Sequence, residues 1–144
     1  MKRLLFGFLF LQFFYACNNT PQGKKEIPAS ENDIDAARNF IRASLDRNWD
    51  EAKKYLLRDS SNLERLNSIE DFYKNEGRDD RRGYKEATIN TYDSRQLNDS
   101  ITIVNYSNSY KNKKDSLKVV RISGQWLVDL KYSFLPTDSV KNVQ

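Results

Sequence analysis

Apolar residues follow three regimes along this chain. From Leu4 to Tyr15 they run almost unbroken, as Leu4-Leu5-Phe6-Gly7-Phe8-Leu9-Phe10-Leu11-Gln12-Phe13-Phe14-Tyr15. A spanning helix needs about 20 such residues to cross about 30 Å of hydrocarbon, so this run is too short to remain as a span. Between residues 30 and 77 the spacing is helical. Ile34, Ala37, Ile41 and Leu45 form one stripe, widened by Phe40, behind the capping-box-like opening Ser30-Glu31-Asn32-Asp33. Asn48 followed by Glu51 predicts a short second helix with Ala52, Tyr55 and Leu56 on its apolar side and Trp49 at the joint. Ser61-Asn62-Leu63-Glu64 predicts a third helix carrying Leu63, Leu66, Ile69 or Glu70, and Tyr73, with Gly77 as its end.

After Gly83 the period becomes two, and turn residues divide the remainder into four expected strands, about 84–95, 100–110, 115–122 and 125–134. Ser123-Gly124 reads as a two-residue hairpin turn that sets Val119 against Val128, Leu117 against Leu130 and Arg121 against Trp126. A turn at Asn112-Lys113 would set Tyr106 against Val119 and Val104 against Arg121. A turn at Asn98-Asp99 would set Thr91 against Tyr106 and Ile89 against Asn108. One face then collects Thr91, Thr102, Val104, Tyr106, Leu117, Val119, Arg121, Trp126, Val128 and Leu130, flanked by Ala87 and Ile89 before them and Tyr132 and Phe134 after. A one-residue slip would scatter that set over both faces. Three N-terminal helices before an antiparallel meander predict an α+β fold, with the helices packed on one side of a curved four-stranded sheet.

The first run changes meaning with its flanks. Met1-Lys2-Arg3 precedes it and Ala16-Cys17 follows, the order of a secretory signal peptide. Cys17 is the only cysteine among 144 residues, so no intramolecular disulfide can form. Phe14-Tyr15-Ala16-Cys17 resembles a bacterial lipobox. Phe14 replaces the usual Leu and Tyr15 is bulky, as in the looser lipoboxes of Bacteroidota-like lipoproteins. The resemblance implies cleavage between Ala16 and Cys17 and lipid on the Cys17 thiol, with multiple acyl chains anchoring far more firmly than one. The organisation expected is a signal peptide at 1–16, a lipid-anchored tether at 17–30, a domain at 31–135 and a tail at 136–144. The tether contains Pro21, Gly23, Pro28 and Lys24-Lys25, and as a 12-residue coil it would reach about 20 Å. The expected address is the bacterial envelope, with the outer membrane facing the periplasm as the expected leaflet.

Loss of Lys2 and Arg3 with the leader leaves 22 basic against 20 acidic residues, so overall charge signals little. Arg78-Asp79-Asp80-Arg81-Arg82 and Lys111-Asn112-Lys113-Lys114-Asp115 are interrupted by acids, whereas a nucleic-acid surface needs a stripe of one sign. No nucleic-acid partner is expected.

The helix-then-meander order, with Arg47-Asn48-Trp49-Asp50-Glu51-Ala52 in the first helical pair and Ile122-Ser123-Gly124-Gln125-Trp126-Leu127-Val128 in the last hairpin, resembles the nuclear-transport-factor-2-like (SnoaL-like, cystatin-like roll) superfamily, and its small lipoproteins in particular. The resemblance covers about residues 31–134. It implies a sheet wrapped into a cone around the first helix, enclosing either a ligand pocket or a plain core.

The chain has no histidine, which excludes a Ser-His-Asp triad, a Cys-His pair and the common zinc sites. Its five glycines are scattered and form no phosphate loop, and no cofactor or metal is implied. Some enzymes of the resembled superfamily pair an Asp base with a Tyr donor, but the inward face predicted here has Tyr106 and no carboxylate before Asp93 at its rim. The candidate pocket residues are Tyr106, Arg121, Trp126 and Thr91, with Arg121 as the anion-seeking group. The plain alternative is that Arg121 only stacks on Trp126 as a cation–π pair. The leading expectation is therefore a membrane-anchored, non-enzymatic module that binds a small ligand or an envelope protein. A small-molecule enzyme with a cone-shaped pocket and a pocketless structural accessory subunit stand as alternatives.

Overall fold

The computed structural model describes residues 30–132. The leader, Ala16 and Cys17, the tether up to residue 29, Phe134 and the tail lie outside the described residues. Four α-helices precede a four-stranded antiparallel sheet in the order β1-β2-β3-β4. Helix α1, Asp33–Leu45, starts at Asn32, whose Oδ1 accepts the Asp35 N–H at 2.9 Å. It buries Ala37, Phe40, Ile41 and Leu45 of the expected stripe together with Ala36, while Ile34 stays half-buried. The buried Thr102 hydroxyl of the sheet donates to Asp33 Oδ2 at 2.5 Å and pins the first turn in place.

Helix α2, Trp49–Ala52, is capped by Asn48, which accepts the Glu51 N–H at 3.2 Å, and it runs into a 3-10 turn, Lys53–Tyr55. Leu57 N–H then donates to Val128 O at 2.9 Å, tying this corner to the sheet. Helix α3, Ser60–Lys74, is capped by Asp59 rather than Ser61. Asp59 Oδ1 accepts the Asn62 N–H at 2.8 Å, so the helix begins earlier than expected, Asn62 becomes fully buried and Leu63 turns outward, 38% exposed.

The three-helix expectation is corrected by α4, Arg78–Glu86, whose last residues, 84–86, take the place of the start of the expected first strand. Gly77 stands at its N-cap and does not simply end α3, whose C-cap is Asn75. Asp79 and Asp80 in the first turn suit the positive end of the helix dipole. Arg42 of α1 closes the other end, donating to Ala87 O at 2.8 Å and to Tyr84 O and Lys85 O at 3.2 Å. Gly83, read in the sequence as the break before a strand, instead lies inside α4 and lets Tyr110, after β2, pack closely against the helix. A Cβ there would sit 2.3 Å from the Tyr110 ring.

Strands β1, Ile89–Asn98, and β2, Ile101–Asn108, pair Ile89 with Asn108 and Thr91 with Tyr106, as the sequence predicts. Bulges after Thr91 and after Gln96 then shift the ladder, so Asn98 pairs with Ile101 and the turn falls at Asp99-Ser100, not at the expected Asn98-Asp99. The first sends Asp93 to the outer face, opposite Asn105, so the rim carboxylate expected inside is not there. Strand β4, Gln125–Asp129, pairs with β3, Asp115–Ile122, in the expected register, with Val119 opposite Val128 and Arg121 opposite Trp126. Its turn residues Ser123 and Gly124 have φ 49° and 83°, the left-handed pair of a type I′ hairpin. The strand stops at Asp129, short of the expected 134.

The β2–β3 register is displaced from expectation by four residues. Tyr106 lies opposite Asp115, Val104 opposite Leu117 and Thr102 opposite Val119. Residues 109–114 form a longer loop in place of a tight turn at Asn112-Lys113. Asn112 N–H donates to Asn108 O at 2.8 Å, and Asn108 Oδ1 accepts the Lys111 N–H at 3.0 Å. Because the displacement is even, Val104, Tyr106, Leu117 and Val119 keep their inward side, and the core closes over Val104, Val119, Val128 and Leu130.

A tyrosine-lined cavity as candidate functional site

The sheet and helices leave a cavity of about 460 Å³ between them. That volume is within the roughly 300–1,000 Å³ typical of small-molecule sites. Its floor is Phe40, Ile41 and Leu45 of α1, and one wall is Ile69, Phe72 and Tyr73 of α3. The opposite wall is Tyr106 of β2 with Leu117 of β3 and Leu130. Tyr84 of α4, Lys111, Lys113 and Asp115 stand at the end nearest the β2–β3 loop. The displaced register is what brings Asp115 here: the Tyr106 hydroxyl donates to its Oδ2 at 3.4 Å.

Aromatic rings continue the wall in a row. Trp49 and Tyr73 centroids are 5.9 Å apart, Tyr73 and Tyr84 5.1 Å, and Tyr84 and Tyr110 5.0 Å, the last two pairs edge to face. Such contacts contribute about 0.5–1.5 kcal/mol each beyond their buried area. Cations lie over two of these rings. Arg47 sits 5.7 Å from the Tyr73 centroid, and Lys111 Nζ sits 4.6 Å from that of Tyr110.

Burial governs the electrostatics. It pushes the Tyr73 hydroxyl up to about 12, with Tyr84 and Glu76 adding to the rise and Arg47 opposing it. Burial, and then the Asp115 charge, push Tyr106 far above the ordinary tyrosine range, and burial also raises Tyr84. All three hydroxyls therefore keep their protons at neutral pH and face the cavity as donors. Outside the cavity, desolvation raises the Glu76 carboxyl while its partner Arg47, 3.0 Å away, pulls it down.

Of the four sequence-derived pocket residues, only Tyr106 lines this cavity. Thr91 is half-buried across the ladder from it and does not reach the cavity. Arg121 lies six residues along β3 from Asp115, about 20 Å of extended strand. Arg121 is exposed there, with its guanidinium 5.7 Å from the ring of the half-buried Trp126, which is the plain stacking alternative. Cys17 and Ala16 lie outside the described residues.

Sequence reasoning missed Tyr73, Tyr84, Lys113 and Asp115. Tyr73 was already on the α3 stripe, and the period of Gly77 to Ala87 could have been tested against a helix. Nothing local announces Asp115, because its place depends on a loop register.

Compared with known proteins, the chain matches no protein-family model, no curated protein and no solved structure.

Proposed function

We propose that this chain is an exported lipoprotein, held through Cys17 on the outer membrane and facing the periplasm, whose folded domain binds a small ligand without transforming it. The observation that carries the reading is the open cavity. Phe40, Ile41 and Leu45 line the space over Tyr106 instead of filling it, and an apolar wall with a few convergent polar groups is the usual form of a ligand site. Helices on one side of a bulged antiparallel sheet support a nuclear-transport-factor-2-like cone as its architecture. No helix among the described residues is long and apolar enough to cross a membrane. Asp115 is exposed to solvent, whereas acid–base chemistry of the resembled kind needs a carboxyl shielded enough to be tuned. That supports binding over catalysis.

A second reading, docking of an envelope protein, is favoured by Phe72, which is 64% exposed beside the cavity.

Two measurements test the proposal. Mass spectrometry of the mature N-terminus should find acyl chains on Cys17, absent from Cys17→Ser, and an acyl-free wild-type terminus would sink the anchor. An apolar fluorescent dye should brighten with the unlipidated mature chain and not with a folded Ile69→Trp variant, whose indole occupies the cavity. Equal brightening with both would sink the site.

A further inference from the structure

The cavity's polar groups differ in how far they are already committed, and those left over define the ligand's chemistry. Ser44 Oγ donates to Phe40 O at 2.8 Å and Ser68 Oγ to Glu64 O at 3.0 Å, so both hydroxyl protons are used within their own helices. The Asp115 carboxylate accepts from Tyr106 at 3.4 Å through Oδ2 and from its neighbour's backbone, Ser116 N–H, at 2.7 Å through Oδ1. Lys111 is paired with Asp80 at 3.0 Å.

The remainder is one-sided. The Tyr73 and Tyr84 hydroxyls make no hydrogen bond among the described residues, and Lys113 makes no ion pair there, though all three line the cavity. Burial keeps both hydroxyls protonated, so they offer donors and not phenolates. These two hydroxyls and this cation belong to residues that line a space whose apolar wall includes Phe40, Ile41, Leu45, Ile69 and Leu117. Such a set is complementary to an anionic acceptor group on an apolar body.

We propose that the ligand is an amphiphilic carboxylate, its apolar body lying between α1 and α3 and its head group held by Lys113 and the Tyr73 and Tyr84 hydroxyls. This rests on the reading of the cavity as a binding site and adds the sign and placement of the ligand's charge.

The test is isothermal titration of the whole mature chain, carrying Cys17→Ser so that no detergent is needed, with decanoate, 1-decanol and decylamine. Decanoate should bind about tenfold more tightly than decanol, the size of one charge-assisted contact. Lys113→Gln should bring decanoate to the decanol level and leave decanol unchanged. Equal binding of all three would overturn the carboxylate inference while leaving the cavity reading intact, as would tightest binding of decylamine. Equal loss of all three in Lys113→Gln would overturn the assignment of Lys113 as counter-charge. Binding of none would overturn the cavity reading itself.

Discussion

Asn62 at the start of α3 accepts the backbone N–H of Leu130 at 2.7 Å through its Oδ1. Asn62 is fully buried, and its Nδ2 donates in turn to Asp59 Oδ2 at 3.0 Å, which also receives Lys131 Nζ at 2.6 Å. This one amide fastens α3 to the end of the sheet. Asn62→Ala leaves the buried Leu130 N–H without its acceptor and opens a void, and should destabilise the fold by about 2–3 kcal/mol in urea unfolding. A change below about 0.5 kcal/mol, the level of an ordinary surface substitution, would show that α3 does not depend on this contact.

Gly83 gives a test by sign. In an exposed helix, Gly→Ala stabilises by about 1 kcal/mol. Here the new methyl would meet the Tyr110 ring, which is packed on Tyr84 and donates from its hydroxyl to Asp80 at 2.8 Å. Gly83→Ala should therefore be neutral or destabilising in the wild-type chain and stabilising in a Tyr110→Ala background. A double-mutant cycle of thermal unfolding reads the coupling, and gains that simply add would contradict the close approach.

Arg47 adopts a left-handed φ of 60°, a conformation that ordinarily favours glycine by about 1–2 kcal/mol. The same residue neutralises Glu76, of which 12% of the side chain is exposed, and covers the Tyr73 ring. Arg47→Gly should lose more than it gains, a net cost of about 1–2 kcal/mol, because the desolvated carboxylate is left alone. Adding Glu76→Gln should restore most of the stability. If the single variant proved more stable than wild type, the ion pair would count for less than the backbone strain.

How far the sequence could be read depended on whether a signal was local. The α1 stripe, the Asn48 cap and the Ser123-Gly124 turn rest on residues a few positions apart, and all three are found, whereas the Thr91–Tyr106 pairing is met only because two bulges offset a turn that falls one residue later than expected. The inward alternation survived even the register error, because the displacement was even. What failed depended on distant partners. Residues 78–86 form α4 because Arg42, far away in sequence, accommodates their last carbonyls, and because Tyr110 packs into the gap left by Gly83. Asp115 reached the cavity, and Asp93 left the inward face, through a loop and a bulge that no residue spacing specified. Arg121 and Trp126 were sound as a stacked pair and misplaced as a pocket.

Tyr73 predicts how stability responds to alkali. Its folded-state value of about 12 exceeds the ordinary 10.0, chiefly through burial. The folded state thus holds the proton more tightly, and the unfolded chain ionises first as pH rises. The contribution is fully present below pH 10, declines from there and is lost by about pH 12. Tyr106 shifts in the same direction for the same reason and extends the decline upward. Tyr73→Phe should show a shallower fall of unfolding free energy across this window, and phenolate absorbance of the folded wild type should lag behind that of free tyrosine. An unchanged slope in Tyr73→Phe would mean that this hydroxyl is not desolvated.

The most direct test of the binding-site account is methyl NMR of the unlipidated mature chain titrated with decanoate. The expected shifts concentrate on the methyls of Ile41, Leu45, Ile69, Leu117 and Leu130, which line the cavity, while Ile101, Ile103 and Val120 on the other face of the sheet stay still. Shifts confined to Ile101, Ile103 and Val120, or no shifts at saturating decanoate, would contradict the account.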